Sequence, residues 1–174
     1  PREVEIINKE KKQEAYDAIQ KNFGYTFKNL LLLEAALTHK SASSAEIDSD
    51  YERLEFLGDA VLDLTVADLL SSYHSKAKEG DLSKMRAALV NTQALASQAK
   101  KLELNCYIRI GKTEIVSDVS ERPSILADSF EAVIGAIYKD SGFDTAFSVI
   151  EKILGEDIKI VNTCDPKTDL QEIL

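Results

Sequence analysis

Glu52, Glu55 and Asp59 stand at spacings of three and four in the run Glu52-Arg53-Leu54-Glu55-Phe56-Leu57-Gly58-Asp59-Ala60-Val61-Leu62. On a helix of 3.6 residues per turn they fall within an arc of roughly 60°, so three carboxylates share one stripe. Leu54, Leu57, Val61 and Leu64 take the opposite side, where they can enter a core. Like charges on one stripe weaken a helix by roughly a few tenths of a kcal/mol per pair. A solvated face, with Glu52 closing a capping box opened by Ser49, is the simpler account of this helix taken alone. Asp63 lies on the same stripe and reads as solvated.

A second segment changes the balance. In Leu126-Ala127-Asp128-Ser129-Phe130-Glu131-Ala132-Val133-Ile134-Gly135-Ala136, Asp128 and Glu131 again share a face, and small residues flank it. Gly58 and Ala60 do the same beside the first set. Solvated acids need no small neighbours, whereas closely packed helices do. Carboxylates gathered in a partly buried site are costly unless cations neutralise them. Glu55, Asp59, Asp128 and Glu131 would then form an all-oxygen site suited to Mg²⁺, with Mn²⁺ as a possible substitute. Spacing alone leaves open whether the two helices meet.

The elements that must position these acids read as helical throughout, and the expected fold class is all-α. Helices are expected from about Glu10 to Asn22, with Ala15, Ala18 and Ile19 inward, over Leu30–Leu37, and from about Asp50 to Tyr73. A single long helix is expected over Leu82–Leu102 after a turn at Lys78–Asp81, and Tyr107–Ile110 could be a short extended piece. Pro123 suits the first turn of a further helix to about Lys139. Asp140-Ser141-Gly142 ends it, Asp144 can cap the last helix, and Gly155 stops that one.

Composition narrows the chemistry further. The 174 residues suit one domain, and no apolar run approaches the roughly 20 residues of a membrane span. No secretion signal is evident. Cys106 and Cys164 are far apart and read as free thiols of a reducing cytoplasm. His39 and His74 are isolated, so any metal is held mainly by oxygen, and no Ser-His-Asp or Cys-His grouping competes. The net charge of −9 argues by itself against nucleic-acid binding, yet it equally suits a protein that gathers carboxylates around cations. Lys76, Lys84, Arg86, Lys100, Lys101 and Arg122 could contact phosphates, although each taken singly reads as solvated surface.

Glu52–Leu62 resembles the signature segment of the ribonuclease III family, which includes the bacterial enzyme and Dicer. Leu37-Thr38-His39-Lys40-Ser41, Glu79-Gly80-Asp81-Leu82-Ser83-Lys84-Met85-Arg86 and Ser124–Ala132 agree with the family in the same order. Together they cover roughly residues 14–155. The resemblance implies Glu55, Asp59, Asp128 and Glu131 as metal ligands, Asp59 and Glu131 as essential for cleavage, and Glu52 and Glu79 as auxiliary acids. It implies a homodimer in which the signature helices pack together. Phe56 lies roughly 40° from Glu52 around the helix, an odd place for an exposed aromatic, and the family packs this phenylalanine into the partner subunit.

The resemblance also divides the chain into a catalytic domain, residues 1–156, and a linker with the truncated start of a double-stranded-RNA-binding domain, residues 157–174, on the strength of Asp165–Glu172. The implied function is that of a cytoplasmic endonuclease on double-stranded RNA. Two-metal hydrolysis would leave 5′-phosphate and 3′-hydroxyl ends, in processing of ribosomal RNA precursors and structured messages. Two sites on a dimer would leave short 3′ overhangs. The rivals are a catalytically silent RNA-binding or scaffolding protein of the same fold, and a phosphohydrolase of small nucleotides. The intact acidic set disfavours the first. The second lacks a His-Asp metal pair and a glycine-rich phosphate loop.

Overall fold

A computed structural model describes residues 2–42, 50–111, 118 and 122–163. Among them run seven α-helices: α1 (Arg2–Phe23), α2 (Leu30–Leu37), α3 (Tyr51–Tyr73), α4 (Glu79–Val90), α5 (Thr92–Lys101), α6 (Pro123–Ser141) and α7 (Phe143–Ile160). Two single 3₁₀ turns, Lys40–Ala42 and Leu104–Cys106, complete the described elements. The only extended pairing among these residues is an isolated parallel bridge between Thr38 and Arg109. It arises because the Arg109 N–H donates to Leu37 O at 2.8 Å and the His39 N–H donates to Arg109 O at 2.9 Å. The all-α expectation holds, and the extended piece near 107–110 amounts to this one bridge.

α6 is the axis of the molecule. Its buried positions run Ile125, Leu126, Ala127, Ser129, Phe130 and continuously from Ala132 to Ile137, so they circle the helix. A helix apolar on every side must be wrapped by others, and α2, α3, α5 and α7 surround it. Ile19 and Phe23 of α1 insert into the same core, each contributing roughly 1.5–3 kcal/mol by burial.

Several boundaries differ from the sequence expectation, for local reasons. The segment 82–102 is two helices, broken at Asn91, whose side chain serves both ends. Its Oδ1 accepts from Ala94 N at 2.9 Å, capping α5. Its Nδ2 donates to the carbonyls of Ala87 and Ala88 at 3.0 and 3.3 Å, closing α4. Helix α4 already begins at Glu79, so Gly80 and Asp81 lie in its first turn. Helix α7 is capped at Gly142, with Asp144 in its first turn making no side-chain cap, and it continues through Gly155 to Ile160. Ile158, fully buried, carries the packing past that glycine. Helix α1 starts at Arg2, and its inner face is led by Tyr16, Ile19 and Phe23, while Ala15 and Ala18 are half-buried. Leu64, expected inside, is 59% exposed.

Asp140 shows how the outer helices are tied to the axis. Its carboxylate accepts from Tyr25 Oη at 2.6 Å and from the backbone N–H groups of Lys28 and Asn29 at 2.7 and 3.0 Å. The end of α6 thereby holds the turn that leads from α1 into α2.

Candidate metal centre

The site is built where α3 crosses α6. A methyl group placed on Gly58 would lie 1.7 Å from the Glu131 carbonyl oxygen, and one on Gly135 would lie 2.0 Å from the Leu54 carbonyl oxygen. Both positions therefore need glycine for the backbones to touch, and the expectation of close contact from small residues is met at the point where the acids lie. Ala132 and Ala136 are buried beside the crossing, whereas Ala60 faces solvent.

The crossing brings Glu55, Asp128 and Glu131 together, with one carboxylate oxygen of each lying within 4.8 Å of the others. All three are half-buried. Burial raises the Glu131 carboxyl most, with Asp59, Asp128 and Glu55 adding repulsion, to about 8. Burial, then Asp128 and Glu52, raise Glu55. Burial raises Asp128, against the attraction of His39 and Lys40. Three acids that resist ionisation at one point, with only oxygen donors, fit a hard divalent cation, which would restore their charge.

The other expected site residues take different positions. Asp59 is exposed, outside that trio but foremost among the charges acting on Glu131. Glu52 is exposed and accepts from Lys40 Nζ at 3.0 Å; Asp50 occupies the cap position of α3 without a side-chain cap bond, and Ser49 lies outside the described residues. Glu79 is exposed at the start of α4, on a small groove shared with Ala67, Ser71 and Arg86. Ser71 is twelve residues along α3 from Asp59, roughly 18 Å at 1.5 Å per residue. The protomer thus does not bring Glu79 into the trio. Asp63, expected to be solvated, is half-buried, its carboxyl raised by burial and by Asp59 against the pull of Arg86.

His39, isolated in the sequence, belongs to this neighbourhood together with Tyr51 and Ser129. His39 is 7% exposed and packs edge-on against the Tyr51 ring at 5.4 Å. Tyr51 Oη and Ser129 Oγ share a buried hydrogen bond of 2.9 Å, joining the start of α3 to the residue after Asp128. Burial pushes the Tyr51 phenol far up, so it stays protonated. The only earlier sign was position, since His39 lies in one of the segments shared with the family and Ser129 directly follows a candidate ligand.

Outside the centre, Phe56 is 79% exposed. Ala60 and Leu64 follow it at four-residue steps, and both are also exposed. Beside Phe56 lies an open cavity of about 680 Å³, lined by Leu32, Arg53, Leu57 and Lys139 among others. Cys106 is free and exposed, and Cys164 lies outside the described residues, as does the tail from residue 164. No described helix is long and apolar enough to cross a membrane.

Comparison with known proteins agrees with the geometry. Residues 29–158 match the family described as ribonuclease-III-like. A protein named Ribonuclease 3 from Cupriavidus taiwanensis is 47% identical over 152 residues, which are 87% of this chain and 57% of that protein. One from Sulfurovum is 42% identical over 158 residues, 91% of this chain and 66% of that protein. The chain therefore spans little more than half the length of the first of these curated relatives. The crystal structure of the nuclease domain of ribonuclease III from Campylobacter jejuni superposes with a TM-score of 0.76 at 41% identity, covering 84% of this chain and 97% of that one. A second structure of that domain, at 43% identity and TM-score 0.76, covers 82% of this chain and 98% of that one, and is described as showing flexibility in a region involved in dimer formation.

Proposed function

The chain belongs to the ribonuclease-III-like family, and from that premise we propose that it is an endoribonuclease domain acting on double-stranded RNA through a divalent-metal centre. The observation that carries this reading is the meeting of Glu55, Asp128 and Glu131 within 4.8 Å at a glycine crossing. Glu55, Asp128 and Glu131 would hold the ion, and Asp59 would complete the set from the solvent edge. When bound, Mg²⁺ or Mn²⁺ supplies the charge that keeps these acids ionised and activates water for attack on phosphorus. Asp59 and Glu131 are the residues on which cleavage depends, and the products carry 5′-phosphate and 3′-hydroxyl ends. Glu52, held by Lys40, lies one turn from Glu55 and acts as an auxiliary acid. Glu79 would serve at the scissile site only across a larger assembly, because in one protomer it stands at the start of α4, beside Ala67 and Ser71 of α3 and outside the trio.

The assembly we propose is a homodimer through the exposed stripe Phe56, Ala60 and Leu64, with Phe56 entering the cavity beside its counterpart. Leu64, misplaced in the core by pattern alone, finds its role on that stripe. Paired sites would cut the two strands of a duplex with short 3′ overhangs, in processing of ribosomal RNA precursors and structured messages in the cytoplasm. Residues 1–156 would be the catalytic domain and 157–174 a linker with the start of a double-stranded-RNA-binding domain.

The test is cleavage of a long perfect RNA duplex at low salt, with and without Mg²⁺. Cleavage should need the ion and should be lost in Asp59→Asn and Glu131→Gln. Activity surviving either substitution removes the site assignment. Metal binding without cleavage would favour a silent RNA-binding member of the fold.

A further inference from the structure

Helices α3 and α6 are tied to each other at two places. At one, Gly58 and Gly135 bring the backbones together, so that a methyl on Gly58 would lie 1.7 Å from the Glu131 carbonyl oxygen. At the other, Tyr51 Oη and Ser129 Oγ share a hydrogen bond of 2.9 Å. Both of these residues are sealed from water, Tyr51 at 1% exposure and Ser129 at 0%. The Tyr51 ring is held in turn by its edge-on contact with His39.

The two ties bracket the acids. On α3, Glu55 stands four residues after Tyr51 and three before Gly58. On α6, Ser129 directly follows Asp128 and precedes Glu131 by two residues, and Glu131 supplies the carbonyl that meets Gly58. A glycine contact sets how closely two backbones approach, but without a side chain or a directional bond it does not by itself set the angle at which they cross. A second tie away from the contact does. Tyr51 and Gly58 are seven residues apart, roughly 10.5 Å along the axis at 1.5 Å per residue. If the Tyr51 end swung by about 1 Å around the glycine contact, Glu55 would move by roughly 0.4 Å. Metal–ligand distances tolerate only about 0.2 Å. A shift too small to disturb the fold is therefore large enough to spoil an ion site.

The energetics of the bond point the same way. A buried hydrogen bond adds modestly to net stability, and replacing both partners by apolar groups of similar shape can be nearly neutral. Two buried hydroxyls at this place gain the fold little that apolar packing would not, whereas the direction they impose has a use beside the acids.

We propose that Tyr51 and Ser129 are positioning residues of the metal centre, their hydrogen bond fixing the angle at which α3 crosses α6 and so the distance of Glu55 from Asp128 and Glu131. The proposal rests on those three acids being the ligands.

Titration calorimetry of Mn²⁺ and of Mg²⁺ into the full chain, with no RNA present, reads the affinity, and urea melts of the metal-free protein read the stability. Tyr51→Phe and Ser129→Ala each leave a buried hydroxyl without its partner, so each should lose stability and bind the ions about tenfold more weakly, the low end of what losing an outer-shell support costs. The double variant, with neither hydroxyl left to satisfy, should recover stability but remain about tenfold weaker in binding. A bond that served only the fold would let stability and affinity return together, so unsubstituted affinity in the double variant overturns the proposal. Ser129→Thr and Ser129→Val add similar bulk and differ in the hydroxyl, which separates the bond from packing. Threonine should bind the ions about tenfold more tightly than valine, and equal affinities would sink the idea. Asp128→Asn distinguishes the two levels of failure. If it leaves metal binding unchanged, the metal centre itself is misassigned; if it abolishes binding while the double variant binds normally, only the role of Tyr51 and Ser129 falls.

Discussion

Replacing Gly58 by alanine tests the crossing on which the whole centre stands. The added methyl would meet the Glu131 carbonyl oxygen at 1.7 Å, so the helices must part by roughly 1.5–2 Å to reach ordinary van der Waals separation. Alanine gains about 1 kcal/mol of helix propensity over glycine. Overpacking typically costs about 1–3 kcal/mol, and more where the obstacle cannot move; here it is backbone. The expected net loss is about 1–2 kcal/mol or more. Gly155→Ala is the control, because its methyl would find only Glu151 Cγ at 3.8 Å within α7. There the propensity gain acts alone, and the chain should become more stable by about 0.5–1 kcal/mol. Urea melts of the metal-free protein measure both, and Mg²⁺ titration of Gly58→Ala should show weakened binding as Glu55 moves away from Glu131. If Gly58→Ala proves as stable as Gly155→Ala, the close crossing is wrong, and the convergence of the acids falls with it.

Glu131 makes the metal-free protein sensitive to pH. Its folded-state value near 8 lies above the ordinary 4.5, so between those values the folded state binds more protons than the unfolded one and stability falls as pH rises. In EDTA, the loss of stability from pH 5 to pH 8 should be shallower in Glu131→Gln, and Mg²⁺ should recover more stability in the unsubstituted chain; equal slopes would contradict the burial assigned to Glu131. Asp140 behaves in the opposite sense. Hydrogen bonds from Tyr25, Lys28 and Asn29 outweigh burial and hold its carboxyl below 3.8, so its contribution is present at neutral pH and is lost as pH falls through the folded-state value. Asp140→Asn should destabilise the chain at pH 7 and lose that difference in acid, as thermal melts would show. Asn91→Ala should cost about 1 kcal/mol by removing the cap of α5, measured by urea melts; an unchanged midpoint would mean that the α4–α5 break does not depend on Asn91.

The helices that carry the site were legible because their patterns are local. The 3.6-residue stripe of Glu52, Glu55 and Asp59, the proline at the start of α6 and the limits of α2 all follow from spacing and cap chemistry. Asn91 leaves no mark on the sequence pattern, because a residue that closes one helix and opens the next keeps the hydrophobic period on both sides intact. Gly155 suggests a stop because glycine often is one, but α7 runs on to Ile160 with Ile158 fully buried. Leu64 fits the apolar period of α3 yet is 59% exposed, because pattern alone does not tell an inner apolar face from an outer one.

Within the centre, the difference between what was and was not legible is one of distance along the chain. Acids on one helix announce themselves by period, and small residues beside them hint at a partner helix. His39 gave no such sign, since its place depends on Ser41 and Gly111 meeting across 70 residues. Yet the two kinds of information combine to one physical result. Repelling carboxylates on flexible segments would relieve their repulsion by moving apart. Here they cannot, because two glycines bring the backbones of α3 and α6 into contact and the surrounding core holds them there. Strain that the backbone cannot release must be met by protons or by cations. Glu131, with its carboxyl near 8, shows the first response, and the oxygen trio around it is arranged for the second.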